Sequence, residues 1–164
     1  MAKKAQKTQN IELQDDNPHG HWQFPDNIED IPDKATGFVY LITNKKDKKY
    51  YIGCKLLEKK IKRAPLKGKK KKRIETTSSN WKDYTGSSNV LNEDINKIGK
   101  DQFDFQILKF VYSKSELKFE ELMYQLMNNA LFRDDFYNGI INVRLGKPKD
   151  MTKIDDFSRY LLKI

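Results

Sequence analysis

The strongest constraint on the fold is a pair of apolar segments that flank a charged turn. The first segment begins at Gly37 and the second ends at Gly53, with a lysine-rich turn over residues 45–49 between them. β-Branched and aromatic residues on both sides of such a turn predict a β-hairpin. Tyr40 and Tyr51 are expected at the outer ends of its strands, where cross-strand pairing could bring both phenols to one face.

A helix, a strand and a longer helix are predicted after the hairpin. Ser87 or Ser88 is a suitable N-cap for the first helix, and Gly99 is a suitable C-terminal stop. Alternating apolar residues predict a strand over residues 103–111. Residues 115–127 begin with a serine cap and lack Gly and Pro, which predicts the longer helix. The chain should therefore adopt an α/β (α+β) fold, in which a small three-stranded sheet, hairpin first, is flanked by helices.

Length and composition indicate one folded domain with irregular ends. A chain of 164 residues is long enough for a single core. We assign residues 1–35 to an N-terminal extension that is partly disordered, because its first part is polar. The folded domain covers residues 36–146 and includes a basic insertion over residues 55–80. Residues 147–164 are predicted to form a C-terminal tail with a short helix.

Positive charge is concentrated in the basic insertion. The net charge of the chain is +9, and the stretch from Lys55 to Arg73 contains one acid, Glu58. Its lysine run has too few apolar residues to order by itself. A polyanion, DNA above all, is its natural partner, and a solubility loop or a localisation-like run is the alternative. The DNA-binding candidates are Lys59, Lys60, Lys62, Lys67, Lys69, Lys70, Lys71, Lys72 and Arg73.

Cysteine, histidine and hydropathy patterns argue against other classes of protein. The single cysteine, Cys54, excludes an internal disulfide and a Cys-based zinc site. His19 and His21 lack partner ligands nearby in the sequence, and we interpret them as loop residues. No apolar run follows Met1 as in a signal peptide, and none is long enough to span a bilayer. We therefore expect a cytoplasmic protein, in a bacterial or phage-infected host cell, without a membrane partner.

The hairpin resembles the two motifs of the GIY-YIG nucleases. Val39-Tyr40 matches the end of the first motif, and Tyr51-Ile52-Gly53 matches the second letter for letter. The spacing between the two tyrosines is the family's usual spacing. Residues 87–111 resemble the centre of phage-type members, either stand-alone or homing-endonuclease-like. Taken alone, the hairpin also fits an ordinary sheet with packed tyrosines. The resemblance extends over residues 37–143 and implies a metal-dependent DNA endonuclease that hydrolyses phosphodiester bonds.

The resemblance also implies a mechanism. Glu121 on the longer helix would hold Mg²⁺ (or Mn²⁺), with Glu120 as the alternative one residue away. Both glutamates also fit solvated surface acids, as most helix glutamates do. Tyr40 or Tyr51 would accept a proton from the attacking water. Because a free tyrosine has a pKa of about 10, a neighbouring cation such as Arg63 would have to lower that pKa.

The resemblance implies five further positions. Gly37, Gly53 and Lys55 belong to the motif segments themselves. Asn138 matches a family position near the catalytic cluster, although Asn-Gly is by itself a strong turn signal. Asn142 is a weaker candidate for the same role.

The basic residue that contacts the phosphate is harder to assign. The family usually carries an arginine on a helix shortly after the second motif, and Arg63 lies at roughly that distance. Arginine fits a phosphate bidentately and keeps its charge. Lys55, Lys60, Lys62 and Arg73 are the alternatives. Because Arg63 sits slightly late, the chain also fits an inactive nucleic-acid-binding module, or an accessory subunit that docks on an acidic protein.

Overall fold

A computed structural model describes residues 17–141, 144–146 and 156–164. Asn142 and the first part of the predicted tail lie outside these residues. The strands are β1 (Gly37–Asn44), β2 (Lys49–Leu56), β3 (Glu58–Arg63), β4 (Arg73–Ser78) and β5 (Phe103–Val111), and the helices are α1 (Asn89–Ile98) and α2 (Lys114–Met127). Single 3₁₀ turns occur at Trp81–Asp83, Lys100–Gln102 and Ser158–Tyr160. Within the described ranges, no helix has both the length and the apolarity that crossing a bilayer requires.

The predicted three-stranded sheet is confirmed, with β1 in its centre. The strand order is β2-β1-β5, and both pairs are antiparallel. Tyr40 lies opposite Gly53, and Tyr51 lies opposite Ile42, so both tyrosines lie inside the strands and not at their outer ends. Since side chains alternate between the two faces of a strand, this register turns both phenols to one face. Their ring centroids are 6.2 Å apart.

The two faces of the sheet are covered by different elements. On the tyrosine face, Phe38, Tyr40 and Ile42 pack with aromatic residues of the N-terminal arm and with α1. On the other face, alternate residues of β1, with Ile52 of β2, pack against α2 and the tail. Because both faces are covered, β1 is buried along almost its whole length, which explains its continuous apolar sequence.

The ends of the helices follow local capping rules. Ser88 caps α1 by accepting a hydrogen bond from Leu91 N at 3.4 Å, and Gly99 ends it with φ of 95°, as the sequence predicts. The predicted serine cap at residue 115 is wrong, because α2 begins at Lys114. Ser113 caps it by accepting from Glu116 N at 3.1 Å. Glu116 reaches back and accepts from Tyr112 N, an arrangement close to a capping box.

The basic insertion forms a two-stranded hairpin, and most of its lysine run, residues 67–72, lies in the connection between the two strands, outside regular secondary structure. Strands β3 and β4 pair as a separate two-stranded sheet, with Arg63 opposite Arg73. Leu57 joins this hairpin to the main domain, since its N–H donates to Thr36 O at 3.1 Å and its carbonyl accepts from Ser79 N at 2.8 Å. The β3–β4 pairing and the hydrogen bonds of Leu57 satisfy backbone N–H and C=O groups of the insertion. Amino-acid composition alone gives no indication of this pairing. Arg63 therefore lies on a strand, not on the helix that the family pattern implies.

The N-terminal arm contributes to the core from Trp22 onward. Trp22 is buried against Phe38 and Tyr40, and its indole N–H donates to Trp81 O at 2.6 Å. Gln23 exchanges two backbone hydrogen bonds of 2.8 Å with β5. The arm therefore covers the β5 edge of the sheet.

A buried acid fixes the tail to α2. Glu120 has no exposed surface, and its Oε1 accepts from Lys109 Nζ at 2.6 Å and from Arg159 at 3.4 Å. Asn128 adds two hydrogen bonds to the tail backbone, one to Tyr160 O at 2.6 Å and one from Leu162 N at 2.8 Å. A carboxylate without solvent contact must be paired to remain charged. Glu120 therefore has a structural partner set on the side of α2 that faces β5 and the tail.

Replacing Lys109 with Met should lower the free energy of unfolding by about 3 kcal/mol, because it leaves a buried carboxylate with one distant cation. Lys45→Met is the matched control, since Lys45 pairs with Asp104 at 3.3 Å where both side chains are more than 40% exposed. That variant should lose less than about 1 kcal/mol. Urea unfolding of both variants measures the difference, and equal losses would contradict the assignment of Glu120 as a buried paired acid.

Candidate active site

A cavity of about 490 Å³ opens beside the outer strand β2. It lies where the loop before α1, the middle of α2 and the segment after residue 136 approach this strand. Its wall combines two phenols, hydroxyls, one acid and one cation with amide and aliphatic side chains. The lining residues are Tyr51, Ser87, Ser88, Val90, Lys118, Glu121, Leu122, Gln125, Tyr137, Asn138, Gly139, Ile140 and Ile141.

Tyr51 is the phenol of the second motif in this cavity. Its hydroxyl lies 3.0 Å from Ser87 Oγ. Gly86 lets the loop close on the ring, because it has φ of 95° and a Cβ there would lie 3.1 Å from the ring of Tyr51. Burial raises the pKa of Tyr51, and the hydrogen bond with Ser87 opposes that shift. Tyr51 is therefore a protonated, oriented hydroxyl at neutral pH.

Tyr40 supports Tyr51 from within the core. It is 1% exposed, and its ring packs against Trp22 and Tyr84. Burial raises the pKa of Tyr40 well above its usual value. A side chain at Gly53 would collide with the hydroxyl of Tyr40, so this glycine makes room for the buried phenol. The structure thus separates the two tyrosines that the sequence treats as equivalent, because Tyr40 does not line the cavity.

Glu121 reaches the cavity although α2 packs on the opposite face of the sheet. This is possible because the cavity lies at the outer strand β2, where it is lined both by Tyr51 and by Glu121. Its carboxylate accepts from Cys54 Sγ at 3.1 Å and from Lys118 Nζ at 2.8 Å. Burial and the neighbouring carboxylate raise the pKa of Cys54 to about 12, so the thiol stays protonated and donates. Burial is the main cause of the raised pKa of Tyr51, and the Glu121 charge adds a smaller upward contribution.

The helical register distinguishes Glu121 from Glu120. Consecutive helical residues point about 100° apart, and Glu120 lies in the buried cluster with Lys109 and Arg159. Glu121, in contrast, lines the cavity. Between the two candidates that the sequence left open, only Glu121 lies beside Tyr51.

Asn138 binds the backbone of the second motif. The segment before it runs beside β2, where Tyr50 N donates to Asp135 O and Tyr137 N donates to Tyr50 O, both at 2.8 Å. At Ile52 the side-chain amide of Asn138 takes the place of a neighbouring backbone segment as hydrogen-bond partner. Its Oδ1 accepts from Ile52 N at 3.0 Å, and its Nδ2 donates to Ile52 O at 2.8 Å. A side-chain amide carries the same donor and acceptor as a peptide group. Asn138 therefore completes the ladder at the outer edge of β2.

The cations predicted from the sequence lie outside the cavity. Arg63 pairs with Glu75 at 2.8 Å within the β3–β4 hairpin. Lys55 donates to Asn80 Oδ1 at 2.8 Å and lies 3.7 Å from the centre of the Tyr84 ring. It lines a second cavity of about 480 Å³.

Lys118 and Ser87 line the cavity, although neither was predicted there from the sequence. Lys118 precedes Glu121 by one helical turn, and residues at this spacing share a helix face. That spacing was the available signal for Lys118. The contact between Ser87 and Tyr51 joins segments that are distant in sequence, and no local pattern indicates it.

The donor set fits Mg²⁺ held jointly with a phosphate. Among the described residues, no group of three or more His, Cys, Asp or Glu side chains is arranged to hold a metal ion. Mg²⁺ is usually bound by one or two carboxylates together with substrate phosphates and waters. Glu121 supplies one such carboxylate at the cavity wall. The protonated thiol of Cys54 is a poor ligand for a hard cation.

Comparison with known proteins identifies the family. A family model described as "Putative endonuclease segE, GIY-YIG domain" matches residues 22–141. Searches of curated proteins and of solved structures returned no significant match. The matched residues include both tyrosine motifs, Glu121 and Asn138, and they make up well over half of the chain. The chain therefore belongs to the GIY-YIG endonuclease family, in its segE type, and carries a nuclease domain.

Proposed function

We propose that this protein is a DNA endonuclease that uses Mg²⁺ or Mn²⁺ to hydrolyse phosphodiester bonds. The observation that supports this most directly is that the Tyr51 hydroxyl and the Glu121 carboxylate line one cavity beside the second motif. Hydrolysis needs a positioned water, a place for a divalent ion and compensation of the phosphate charge. The cavity offers residues for each of these needs.

Glu121 is the residue proposed to hold the divalent ion. When bound together with the substrate, such an ion neutralises charge on the phosphate oxygens and on the leaving oxygen. Lys118 and Cys54 hold the Glu121 side chain in place by donating to its Oε2. The side chain is 17% exposed, which keeps the carboxylate accessible from the cavity.

Tyr51 is proposed to contact the attacking water, with Tyr40 as its packing support. The Tyr51 hydroxyl shares a hydrogen bond with Ser87 Oγ, and a hydroxyl has donor and acceptor capacity left over for a water molecule. The raised pKa of Tyr51 argues against a standing phenolate. Tyr51 therefore orients the water, whose proton passes to a nonbridging phosphate oxygen as the water oxygen bonds to phosphorus and the bond to the leaving oxygen breaks.

The β3–β4 hairpin is proposed to grip the DNA backbone. Its exposed face and tip carry the candidates Lys59, Lys60, Lys62, Lys67, Lys69, Lys70, Lys71, Lys72 and Arg73. Contacts to phosphates position DNA without reading its sequence. The hairpin extends from the main domain beside the second cavity, which Lys55 and Lys59 line. Binding and chemistry thus fall on adjacent parts of the molecule.

A catalytically inactive DNA-binding module is the second candidate. The observation in its favour is that Arg63 pairs with Glu75 on the hairpin and not with groups of the cavity. A plasmid assay separates the two functions, since nicking of supercoiled DNA with Mg²⁺ requires catalysis and retardation alone does not.

Glu121→Gln should reduce nicking of supercoiled plasmid by roughly 100-fold or more, because it removes the charge proposed to hold the divalent ion. DNA affinity measured in Ca²⁺ should stay near that of the wild type. Glu116→Gln is the matched control on the same helix, where Glu116 accepts from Tyr112 N away from the cavity. Nicking by Glu121→Gln at the wild-type rate would overturn the proposed role.

Replacing Lys70, Lys71 and Lys72 with Gln should weaken DNA binding and flatten its salt dependence. The slope of log K against log salt should fall by about 0.9 for each phosphate of duplex DNA that the variant no longer neutralises. The matched control replaces Lys45, Lys46 and Lys48 in the β1–β2 turn, which removes the same charge elsewhere. Equal slopes for both triple variants would show that the hairpin tip has no special role in binding.

Asn138→Asp should destabilise the fold by about 1–3 kcal/mol, because Ile52 O loses a donor and faces a carboxylate instead. The single-turnover nicking rate should also fall, since Tyr51 is the neighbouring residue on the same strand. Asn129→Asp makes the same charge change at an exposed position and serves as the control in thermal unfolding. Unchanged stability of Asn138→Asp would contradict the backbone role of this amide.

A further inference from the structure

We propose that Lys118 is the catalytic cation that contacts the reacting phosphate, the role that the family pattern gives to an arginine. This inference rests on the proposed function, because it requires that the cavity hold the scissile phosphate. It names a residue that neither the motifs nor the sequence analysis indicates.

The position of Lys118 is the first support. Its Nζ lies 2.8 Å from Glu121 Oε2 and 3.4 Å from Cys54 Sγ. Among the described residues that line the first cavity, Lys118 is the one that carries a positive charge. Lys118 also lines the second cavity, so this residue borders both.

The second observation that supports the role of Lys118 is that the other candidate cations are bound to other groups. Arg63 is bound to Glu75 on the hairpin. Lys55 is held by Asn80 and the Tyr84 ring and lines the second cavity but not the first. A phosphate bound between Tyr51 and Glu121 would therefore contact Lys118 and not Arg63 or Lys55.

Lys118 can exchange one partner, Glu121, for another, the phosphate, and so serve two roles. In the ion-free protein its ammonium compensates the charge of Glu121. A divalent ion on Glu121 takes over that compensation and releases the ammonium to donate to a nonbridging phosphate oxygen. Lysine suits this exchange, because its ammonium is a point charge on a flexible stem. The side chain is 47% exposed, so the stem has room to move.

The test uses the full-length protein with Lys118→Gln, Lys118→Met and Lys118→Arg. Lys114→Gln is the matched control, since Lys114 lies one turn earlier on α2 and does not line the first cavity. Three quantities are measured: Mn²⁺ affinity of the DNA-free protein by calorimetry, DNA affinity in Ca²⁺, and single-turnover nicking of saturating plasmid with Mg²⁺. Thermal unfolding shows which variants fold, and the Met variant retains most of the aliphatic stem if Gln does not fold.

Lys118→Gln and Lys118→Met should slow single-turnover nicking by roughly 100-fold. Both should bind Mn²⁺ about fivefold more tightly, because a competing positive charge has been removed. Lys118→Arg keeps the charge and should nick faster than either neutral variant, and Lys114→Gln should match the wild type in Mn²⁺ affinity and in rate. A Lys118 that only pairs with Glu121 would also tighten Mn²⁺ binding when it is replaced, but the folded variants would then nick saturating plasmid as fast as the wild type.

Two results overturn the inference and are distinguishable. If the wild type nicks and folded Lys118→Gln or Lys118→Met nicks as fast, the role of Lys118 is wrong and the proposed function stands. If the wild type neither binds Mn²⁺ nor nicks plasmid, the proposed function fails and this inference fails with it.

Discussion

The register of the β1–β2 hairpin is the constraint on which the site depends. It pairs Tyr40 with Gly53 and sets Tyr51 diagonally beside them on the same face. A shift by one residue would move every side chain of β2 to the opposite face. The missing side chain of Gly53 leaves space for the Tyr40 hydroxyl, so Tyr40 fills the core and Tyr51 is left at the cavity. One glycine thus divides the two phenols into a buried support and an accessible hydroxyl.

The outer position of β2 lets elements from opposite faces of the sheet meet. The loop that carries Ser87 approaches from the tyrosine face, and α2 approaches from the other face with Glu121 at the same cavity. An outer strand leaves backbone groups unpaired unless another segment covers them. Asn138 and Gln125 provide that cover at Ile52. The same residues that complete the sheet therefore form the floor of the cavity, which ties the stability of the fold to the geometry of the site.

The sequence by itself determined the elements whose signals are local. The caps of α1, Ser88 and Gly99, and the alternating pattern of β5 depend on neighbouring residues, and they predicted the observed elements. The two tyrosine motifs, together with the pattern of residues 87–111, were enough to indicate the family. Local signals failed where two candidates compete within one turn, as at the start of α2, where Ser113 caps the helix instead of the serine two residues later. They also failed for the basic hairpin, whose order comes from cross-strand pairing and from bonds to the main domain.

Only the tertiary structure decided which charged side chains reach the cavity. Glu120 and Glu121 are equivalent in sequence, but packing of α2 against β5 and the tail buries the first with Lys109 and leaves the second beside Tyr51. The same rotation of the helix brings Lys118 to the cavity wall. Sequence periodicity gives the relative directions of side chains around a helix, but not the element that each direction faces. That choice is made by contacts between segments far apart in the chain, because those contacts fix the rotation of α2 relative to the sheet.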